Sequence, residues 1–346
     1  MFTIDREQKK LRELLEKRSL NVLERFKKAT ISNLSYPGLI AMLENVNGYW
    51  KDFQRPALTQ LSCEAVGGQP EEADDASLII SLAAAGMGIH DDIIDKSENK
   101  HFRITTLGRY GIDNALLVGD LLIIKGLFLA HEYLDKVCPG TKKDLILEAL
   151  KSFVLEIYEG ELVDITCRKK IDTDPEYYTS IMWKLAADGE ACARIGAILG
   201  GGSESEIEAL AKFGRHICFI VNLGDQVRDT LNQEGTLPQR LEHESIPLPI
   251  LYATKASTDA FQRIQSILEK PSIADYTADI RKICWETRSM SYVYCLGRKH
   301  GKDALHELEF LKASTARDSL AQQLKLALRD IKRARDFEAR YVKCLG

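Results

Sequence analysis

Helical periodicity runs through nearly the whole chain, and this feature constrains the fold more than any other. Hydrophobic residues make up 45% of the 346 residues, and they recur at the spacing that places them on one face of an α-helix. No stretch combines two-residue alternation with the β-branched enrichment of a strand. No low-complexity linker divides the chain, and no short-period repeat is evident. The sequence therefore predicts one all-α domain over residues 1–346, with roughly ten to thirteen helices.

The apolar pattern places the helices between turn-forming residues. The two segments that carry the chemistry discussed below are Ala76–Asp95 and Glu204–Leu231. The other predicted segments are Thr3–Lys28, Tyr36–Val46, Ala57–Val66, Asp113–Leu134, Asp144–Cys167, Glu176–Gly200, Leu248–Lys255, Ser257–Leu268, Ile273–Gly297 and Lys302–Val342.

Two short acidic clusters, His90–Asp95 and Gly224–Asp229, each carry two aspartates at positions i and i+4. Each cluster follows an apolar stretch, so in a helix the two aspartates lie on one face about a turn apart. One such pair alone is most often a solvated helix face. Two pairs that both follow apolar helices indicate carboxylates at the mouth of a buried cavity, where repulsion and desolvation are costly. Mg²⁺ removes that cost and favours carboxylates together with substrate phosphate oxygens, so we predict a metal site that holds a diphosphate.

The composition excludes several other classes of protein. The net charge is −4 and the acidic and basic residues are interspersed, so no basic stripe indicates a nucleic-acid partner. The charged N-terminal sequence lacks the apolar core of a signal peptide, and no apolar run approaches the ~18 residues of a membrane span. The 8 cysteines include no C-x-x-C pair, which is typical of reduced thiols. We therefore expect a soluble, cytoplasmic protein without a transmembrane segment.

Several motifs, in order along the chain, resemble those of the polyprenyl synthetase family, the trans-isoprenyl diphosphate synthases. The resemblance extends from about Leu39 to the C-terminus. It implies a single-domain isoprenoid synthase helical bundle with a central cavity, and a homodimer formed through large apolar helix faces. The matching segments are His90–Asp95, Gly119-Asp120, Glu159–Asp164, Lys184 within WKLAA, Asp225 with Asp229, and Ile246–Ala253.

The resemblance also implies a Mg²⁺-dependent prenyltransferase. Its substrates would be an allylic prenyl diphosphate, which ionises, and isopentenyl diphosphate, whose double bond attacks the allylic cation before a proton is lost. By this resemblance Asp91, Asp95 and Asp225 are direct metal ligands. Asp92 and Asp229 would contact the metal through water or would contact its direct ligands. Lys184 would hold the leaving diphosphate, and three Mg²⁺ ions would accompany the bound diphosphate. The implied catalytic set is Asp91, Asp95, Lys184 and Asp225.

The pocket that holds isopentenyl diphosphate in the family is eroded in this chain. Asp52 stands where the family has a lysine, and Ser245 occupies a later lysine position. Each missing cation removes a charge-assisted phosphate contact worth about 1.5–3 kcal/mol. The remaining candidates for substrate binding are Lys51, Arg55, Lys100, His101, Arg103, Lys184, Asn222 and Arg240.

Three functions are compatible with these departures. The first is a chain-elongating prenyltransferase with a modified acceptor pocket. The second keeps ionisation but directs the cation elsewhere, as in a terpene cyclase or a transferase with another acceptor; Gln226, Thr230 and Glu234 have the spacing of the cyclase metal motif, although a polar helix face explains them equally well. The third is a non-catalytic subunit of a hetero-oligomer, which the presence of all four catalytic candidates disfavours.

Product length is suggested by the residues one to two turns before Asp91. Gly86, Met87 and Gly88 are the candidates for the cavity wall, with Ala83–Ala85 beyond them. Family members with aromatic residues there stop at short chains, so this sequence resembles makers of products of C20 or more. The alternative for these small residues is close helix–helix packing.

Overall fold

A computed structural model describes residues 6–100, 102–137 and 140–345. Within these residues the chain is almost wholly helical, which confirms the all-α class. The helices are α1 Arg6–Ile31, α2 Pro37–Tyr49, α3 Gln54–Ala65, α4 Asp74–Ile94, α5 Thr106–Tyr110, α6 Ile112–Val137, α7 Thr141–Thr166, α8 Pro175–Lys184, α9 Ala187–Leu199, α10 Glu204–Thr230, α11 Leu237–His243, α12 Leu248–Ala256, α13 Thr258–Leu268, α14 Thr277–Glu286, α15 Ser289–Glu307 and α16 Thr315–Leu345. Short 3₁₀ turns span Pro70–Ala73, Ala274–Tyr276 and Leu308–Phe310.

Three of the predicted helices are wrong in their extent. The segment Glu176–Gly200 is two helices, α8 and α9, and Ile273–Gly297 is divided where Arg288 adopts a φ of 62°. The segment Lys302–Val342 contains the end of α15 and the start of α16. Apolar residues flank each break on both sides, so periodicity alone does not reveal it.

A β-hairpin follows α4 and was not predicted from the sequence. Strand β1, Asn99–Lys100, pairs antiparallel with β2, Arg103–Ile104, with Lys100 opposite Arg103. Strands of two residues are too short to show alternation. The hairpin nevertheless positions two basic residues of the candidate site.

The chain divides into two compact units. The first contains residues up to Ser152 together with Gly189–Gly214 and Glu307–Gln323, and the second contains Phe153–Asp188, Arg215–His306 and the chain from Leu324 onward. The helices α7, α9, α10, α15 and α16 contribute residues to both units. The single-domain description of residues 1–346 stays a prediction.

In the first unit, α1, α2, α4 and α6 enclose an apolar core. Phe26, Leu43, Leu82 and Leu122 are at most 1% exposed, and burial of each side chain contributes about 1.5–3 kcal/mol. Helices α4 and α6 pack with their backbones in close approach. A Cβ atom on Gly86 would lie 2.5 Å from the carbonyl oxygen of Gly119, so the contact requires glycine.

One helical stretch, Pro70–Ile94, is long and apolar enough to cross a membrane by length and composition. About 61% of its most apolar window is buried inside the protein. A core helix of a globular protein meets the same criterion, and α4 has the burial of such a helix.

In the second unit, Glu338 of α16 joins that helix to the start of α15. Its carboxylate is fully buried and accepts hydrogen bonds from the backbone N–H groups of Met290 (2.8 Å) and Ser291 (3.0 Å) and from the Ser291 hydroxyl. These N–H groups lie in the first turn of α15, where they have no partner within the helix. The carboxylate therefore caps α15 from a neighbouring helix.

Replacing Glu338 with alanine is expected to lower the free energy of unfolding by about 2–4 kcal/mol, because two buried N–H groups lose their acceptor. Urea unfolding followed by circular dichroism measures the loss. Asp336→Ala is the matched control on α16, since Asp336 is exposed and forms only a surface pair with Arg335, worth about 0–1 kcal/mol. Equal effects of the two substitutions would contradict the assignment.

Candidate active site

The first acidic cluster lies at the C-terminal end of α4. Asp91 and Asp92 belong to the last turn, and Asp95 directly follows the helix end at Ile94. The C-terminal end of a helix carries a partial negative charge, which adds to the charge of the carboxylates. This position attracts a cation.

Lys100 of the hairpin supplies a cation to this cluster. Its Nζ lies 2.9 Å from Oδ2 of Asp91 and 3.3 Å from Oδ1 of Asp92. Asp92 is only 4% exposed, and burial raises the pKa of its carboxyl group while Lys100 opposes that rise. The Asp91 side chain is 33% exposed, so Asp91 is open to a ligand and Asp92 is an interior acceptor.

The residues that flank the cluster have a packing role. The His90 ring lies against Gly119 of α6, where an added Cβ would come within 2.5 Å of it. Nε2 of His90 lies 3.3 Å from both the Leu116 carbonyl oxygen and Oδ1 of Asp120. The Gly119-Asp120 motif therefore holds the last turn of α4 against α6.

The acidic residue that replaces the family's lysine caps α3. Oδ1 of Asp52 accepts hydrogen bonds from the backbone N–H groups of Gln54 and Arg55, both at 3.2 Å. Its other oxygen accepts from Nη1 of Arg55 at 3.2 Å, and Lys51 beside it is exposed. Asp52 thus neutralises part of the positive charge that Arg55 brings to the predicted acceptor pocket.

Arg103 of the hairpin packs on an aromatic ring. Its guanidinium carbon lies 3.8 Å from the centre of the Tyr49 ring, and the Tyr49 hydroxyl is 2.8 Å from that of Thr106. A cation–π contact of this kind orients the guanidinium group. The neighbouring candidate His101 lies outside the described residues.

The second acidic cluster lies in the last turns of α10, again at the negative end of a helix. Asp225 forms an ion pair with Arg228, and its side chain is 46% exposed. Asp229 forms an ion pair with Arg240 and is 23% exposed. Asn222, one turn earlier on α10, is half-buried.

Two of the three positions that resemble a cyclase metal motif, Gln226 and Thr230, face the interior. Gln226 is 7% exposed, and its side-chain oxygen accepts the backbone N–H of Leu248 at 3.0 Å. Thr230 is fully buried, and its hydroxyl donates to the Gln226 carbonyl oxygen at 2.8 Å. Gln226 therefore binds the first residue of α12, and Thr230 bonds within α10.

Lys184 is the last residue of α8 and forms an ion pair with α7. Its Nζ lies 2.8 Å from Oε2 of Glu159, and this contact raises the pKa of the lysine. Gly160 directly follows Glu159, and Leu185 directly follows Lys184. A Cβ added to Gly160 would lie 2.7 Å from the Leu185 side chain. The glycine therefore permits the close approach that brings Glu159 to Lys184.

An arginine beside this lysine was missed by sequence reasoning. Arg215 of α10 is 9% exposed and binds Glu156 with two nitrogens, at 2.7 and 2.9 Å. Its Nη1 also donates to the Trp183 carbonyl oxygen at 3.3 Å. The bidentate pair joins α10 to α7, and the bond to Trp183 joins α10 to the end of α8. Arg215 and Glu156 are 59 residues apart in the chain, so no local sequence pattern predicts their contact.

Two of the residues predicted to line the cavity wall differ in their surroundings. Gly86 is buried and faces the backbone of α6, which favours the alternative of close helix packing, and its assignment to the cavity wall stays a prediction. Met87 is half-buried and stays a prediction.

Within the described ranges, no three His, Cys, Asp or Glu side chains converge as a metal cage. Mg²⁺ is usually bound by one or two carboxylates together with waters and substrate phosphates, without an all-protein cage. Asp91 and Asp225 fit this pattern, because both are partly exposed oxygen donors at negative helix ends. The residues present thus fit a magnesium ion that arrives with an anionic substrate.

Comparison with known proteins gives consistent relatives. The family model described as "Polyprenyl synthetase" matches residues 51–284. A short chain isoprenyl diphosphate synthase of Methanothermobacter thermautotrophicus is 30% identical over 276 residues, which cover 77% of this chain and 82% of the relative. A geranylgeranyl diphosphate synthase of Methanosarcina mazei is 29% identical over 292 residues, with 82% and 85% covered.

Solved structures agree on the fold. The geranylgeranyl pyrophosphate synthetase of Pyrococcus horikoshii superposes with a TM-score of 0.81 at 24% identity, covering 92% of this chain and 98% of that one. The heptaprenyl diphosphate synthase of Staphylococcus aureus gives a TM-score of 0.77 at 21% identity, with 91% and 98% covered. At this level of identity the similarity establishes the helical fold.

Proposed function

This chain belongs to the polyprenyl synthetase family, and from that premise we propose that it is a trans-prenyltransferase. Its substrates are an allylic prenyl diphosphate and isopentenyl diphosphate, and its product is a longer prenyl diphosphate. The observation that carries the proposal is the position of two carboxylate clusters at the C-terminal ends of α4 and α10.

We assign the binding of the allylic diphosphate to Asp91, Asp95, Asp225 and Lys184. Mg²⁺, with three ions in the diphosphate complex, supplies charge stabilisation for the leaving diphosphate. The Lys184 ammonium group exchanges Glu159 for a diphosphate oxygen and holds it as a point charge. The apolar turns of α4 before Asp91 exclude water, which would otherwise quench an allylic cation.

The proposal is tested by incubating the purified protein with Mg²⁺ and allylic diphosphates of increasing length, with and without isopentenyl diphosphate. We expect both substrates to be consumed together and a longer prenyl diphosphate to form, and we expect a chelator to stop the reaction. Hydrocarbons or alcohols formed without isopentenyl diphosphate would indicate a cyclase. Absence of turnover with every substrate would indicate a non-catalytic subunit.

The elongating function is favoured over both alternatives. Gln226 and Thr230 are buried, which leaves the cyclase-like spacing without a metal-binding face. A non-catalytic subunit would not need partly exposed carboxylates at Asp91 and Asp225, because negative charge at a helix C-terminus is unfavourable.

We propose products of C20 or more, and the half-buried Met87 is the residue at which the predicted cavity wall is tested. Met87→Phe is expected to shorten the principal product by one or more C5 units, because the larger ring shortens the cavity. Chromatography of the dephosphorylated products measures the change. Met87→Leu, of similar volume, is the control, and an unchanged product spectrum with phenylalanine would contradict the wall assignment.

We propose a homodimer formed through α6. Its exposed residues include six large apolar side chains with 43–64% exposure: Ile112, Leu116, Leu117, Ile124, Leu127 and Phe128. An apolar stripe of this extent is typical of a protein–protein interface. Light scattering is expected to give twice the mass of the chain, and Leu117→Glu with Phe128→Glu should reduce it to one chain. A monomeric parent protein would contradict the proposal.

We also propose a cytoplasmic location. The support is that an apolar helix long enough to cross a membrane is mostly buried within the protein. Fractionation of cells that express a tagged chain tests the location.

A further inference from the structure

Arg240 of α11 makes two kinds of contact that reach the second acidic cluster. Its Nη1 forms an ion pair with Oδ2 of Asp229, and its Nε donates to the Ser245 carbonyl oxygen at 3.5 Å. The Arg240 side chain is only 15% exposed. A guanidinium group stays charged under all ordinary conditions, so Asp229 faces a permanent cation, which it shares with Glu244 at 3.6 Å.

The residues behind Arg240 form a buried polar network. The Ser245 hydroxyl donates to the Asp164 carboxylate at 2.8 Å and is close to the Asp164 carbonyl oxygen at 2.9 Å. Tyr178 is 3% exposed and hydrogen-bonds to Asp164 and Arg240. The network therefore extends from Asp164 on α7 and Tyr178 on α8, through Arg240, to Asp229 on α10. Each of these side chains contacts at least one other member.

A second arginine holds the same end of α10. Nη1 of Arg281 donates to the Leu231 carbonyl oxygen at 3.2 Å, directly after the helix end. Asn232 adopts a φ of 52° and its side-chain oxygen accepts the Leu237 N–H at 3.0 Å. These contacts provide hydrogen-bond partners for the Leu231 carbonyl and the Leu237 N–H in the turn that follows α10.

Asp225 has different surroundings from Asp229. It is twice as exposed as Asp229, and it pairs with Arg228 on the same helix face, which is itself 37% exposed. An exposed pair of this kind contributes about 0–1 kcal/mol and is readily exchanged for a stronger cation. The two carboxylates of the cluster are thus unequal.

We propose that Arg240 is a positioning residue: it holds Asp229, and with it the last turn of α10 that carries the metal ligand Asp225. The inference rests on the proposed function of the cluster. It adds Arg240 to the groups on which metal binding depends and gives Asp229 the use of joining α10 to that arginine.

The test measures metal binding without turnover. Mn²⁺ is titrated into the full chain with inorganic diphosphate, and free Mn²⁺ is followed by electron paramagnetic resonance. The variants are Arg240→Met, Arg240→Lys, Asp229→Asn and Asp225→Asn. Arg263→Met is the matched control, since Arg263 is a surface residue of α13 that pairs with Asp259 and Glu286.

We expect Arg240→Met to weaken Mn²⁺ binding about 10-fold, the lower range for residues behind a metal ligand. Arg240→Lys keeps the charge and is expected to restore binding to within about threefold of the parent. Asp229→Asn should weaken binding less than Asp225→Asn does. Mg²⁺ titrations of activity should show the Arg240→Met effect mainly in the KM for the metal.

Two results overturn the inference: unchanged Mn²⁺ binding in Arg240→Met, or an equal loss in Asp229→Asn and Asp225→Asn. If Arg240→Met does not fold, Ser245→Ala removes the link to Asp164; about threefold weaker binding supports the inference and unchanged binding overturns it. The expected Mn²⁺ pattern in a chain that lacks prenyl transfer would leave the positioning role intact and refute the proposed function.

Discussion

Replacing Asp91 with alanine is expected to lower the rate of allylic diphosphate consumption by about 10³-fold, or about 4 kcal/mol in activation free energy. The substitution removes the more exposed carboxylate of the first cluster at a helix end that favours a cation. It also frees Lys100, whose Nζ contacts Asp91 at 2.9 Å, to pair with Asp92 alone. The loss should appear in kcat at saturating Mg²⁺, because the missing charge acts on the leaving diphosphate.

Asp113→Asn provides the matched control for this prediction. Asp113 is an exposed acidic residue in the first turn of α6, so its replacement alters the charge equally and leaves the site untouched. Rates are measured by release of radioactive product from labelled isopentenyl diphosphate. Metal-dependent turnover at the parent rate in Asp91→Ala would remove the basis of the proposed function.

Replacing Gly86 with alanine is expected to destabilise the protein by about 2–3 kcal/mol, and phenylalanine at this position should prevent folding. The added Cβ would lie 2.5 Å from the Gly119 carbonyl oxygen and 2.6 Å from the Ile123 side chain. Backbone atoms of α6 cannot move aside without disturbing the core between α4 and α6. The midpoint of urea unfolding, at constant slope, measures the loss.

Gly48→Ala is the control for this prediction. Gly48 also lies inside a helix, α2, but an added Cβ there meets nothing within 4 Å. This substitution is expected to stabilise the protein by about 0.5–1 kcal/mol, since alanine loses less backbone entropy on folding. A stable Gly86→Phe variant with a shortened product would instead support the assignment of Gly86 to the cavity wall.

Much of the site could be predicted from the chain because its signals are local. The spacing of Asp91 and Asp95 places both at the C-terminal end of α4, and the spacing of Asp225 and Asp229 places both in the last turns of α10. Lys184 was identified by its motif, and the structure places it beside Glu159 of another matching motif. The reason that Glu159 and Lys184 meet, the packing of Gly160 on Leu185, is not visible in either motif.

The erosion of the acceptor pocket shows the opposite case. Asp52 is a substitution in the sequence, but only the structure reveals that it caps α3 and binds Arg55. Ser245 likewise replaces a lysine and proves to be a link between Arg240 and Asp164. A changed residue type indicates that a contact is lost, and tertiary neighbours decide what replaces it.

The sequence by itself determined the all-α class, the family and the two acidic helix ends, because periodicity and i, i+4 spacing are properties of neighbouring residues. The tertiary structure alone decided that Gly86 faces α6, that Gln226 turns inward and that Arg240 anchors Asp229. These contacts join residues that are distant along the chain, and their geometry depends on how whole helices pack. Periodicity shows that a helix has an apolar face but not which helix that face packs against. That partner is known only from the tertiary structure.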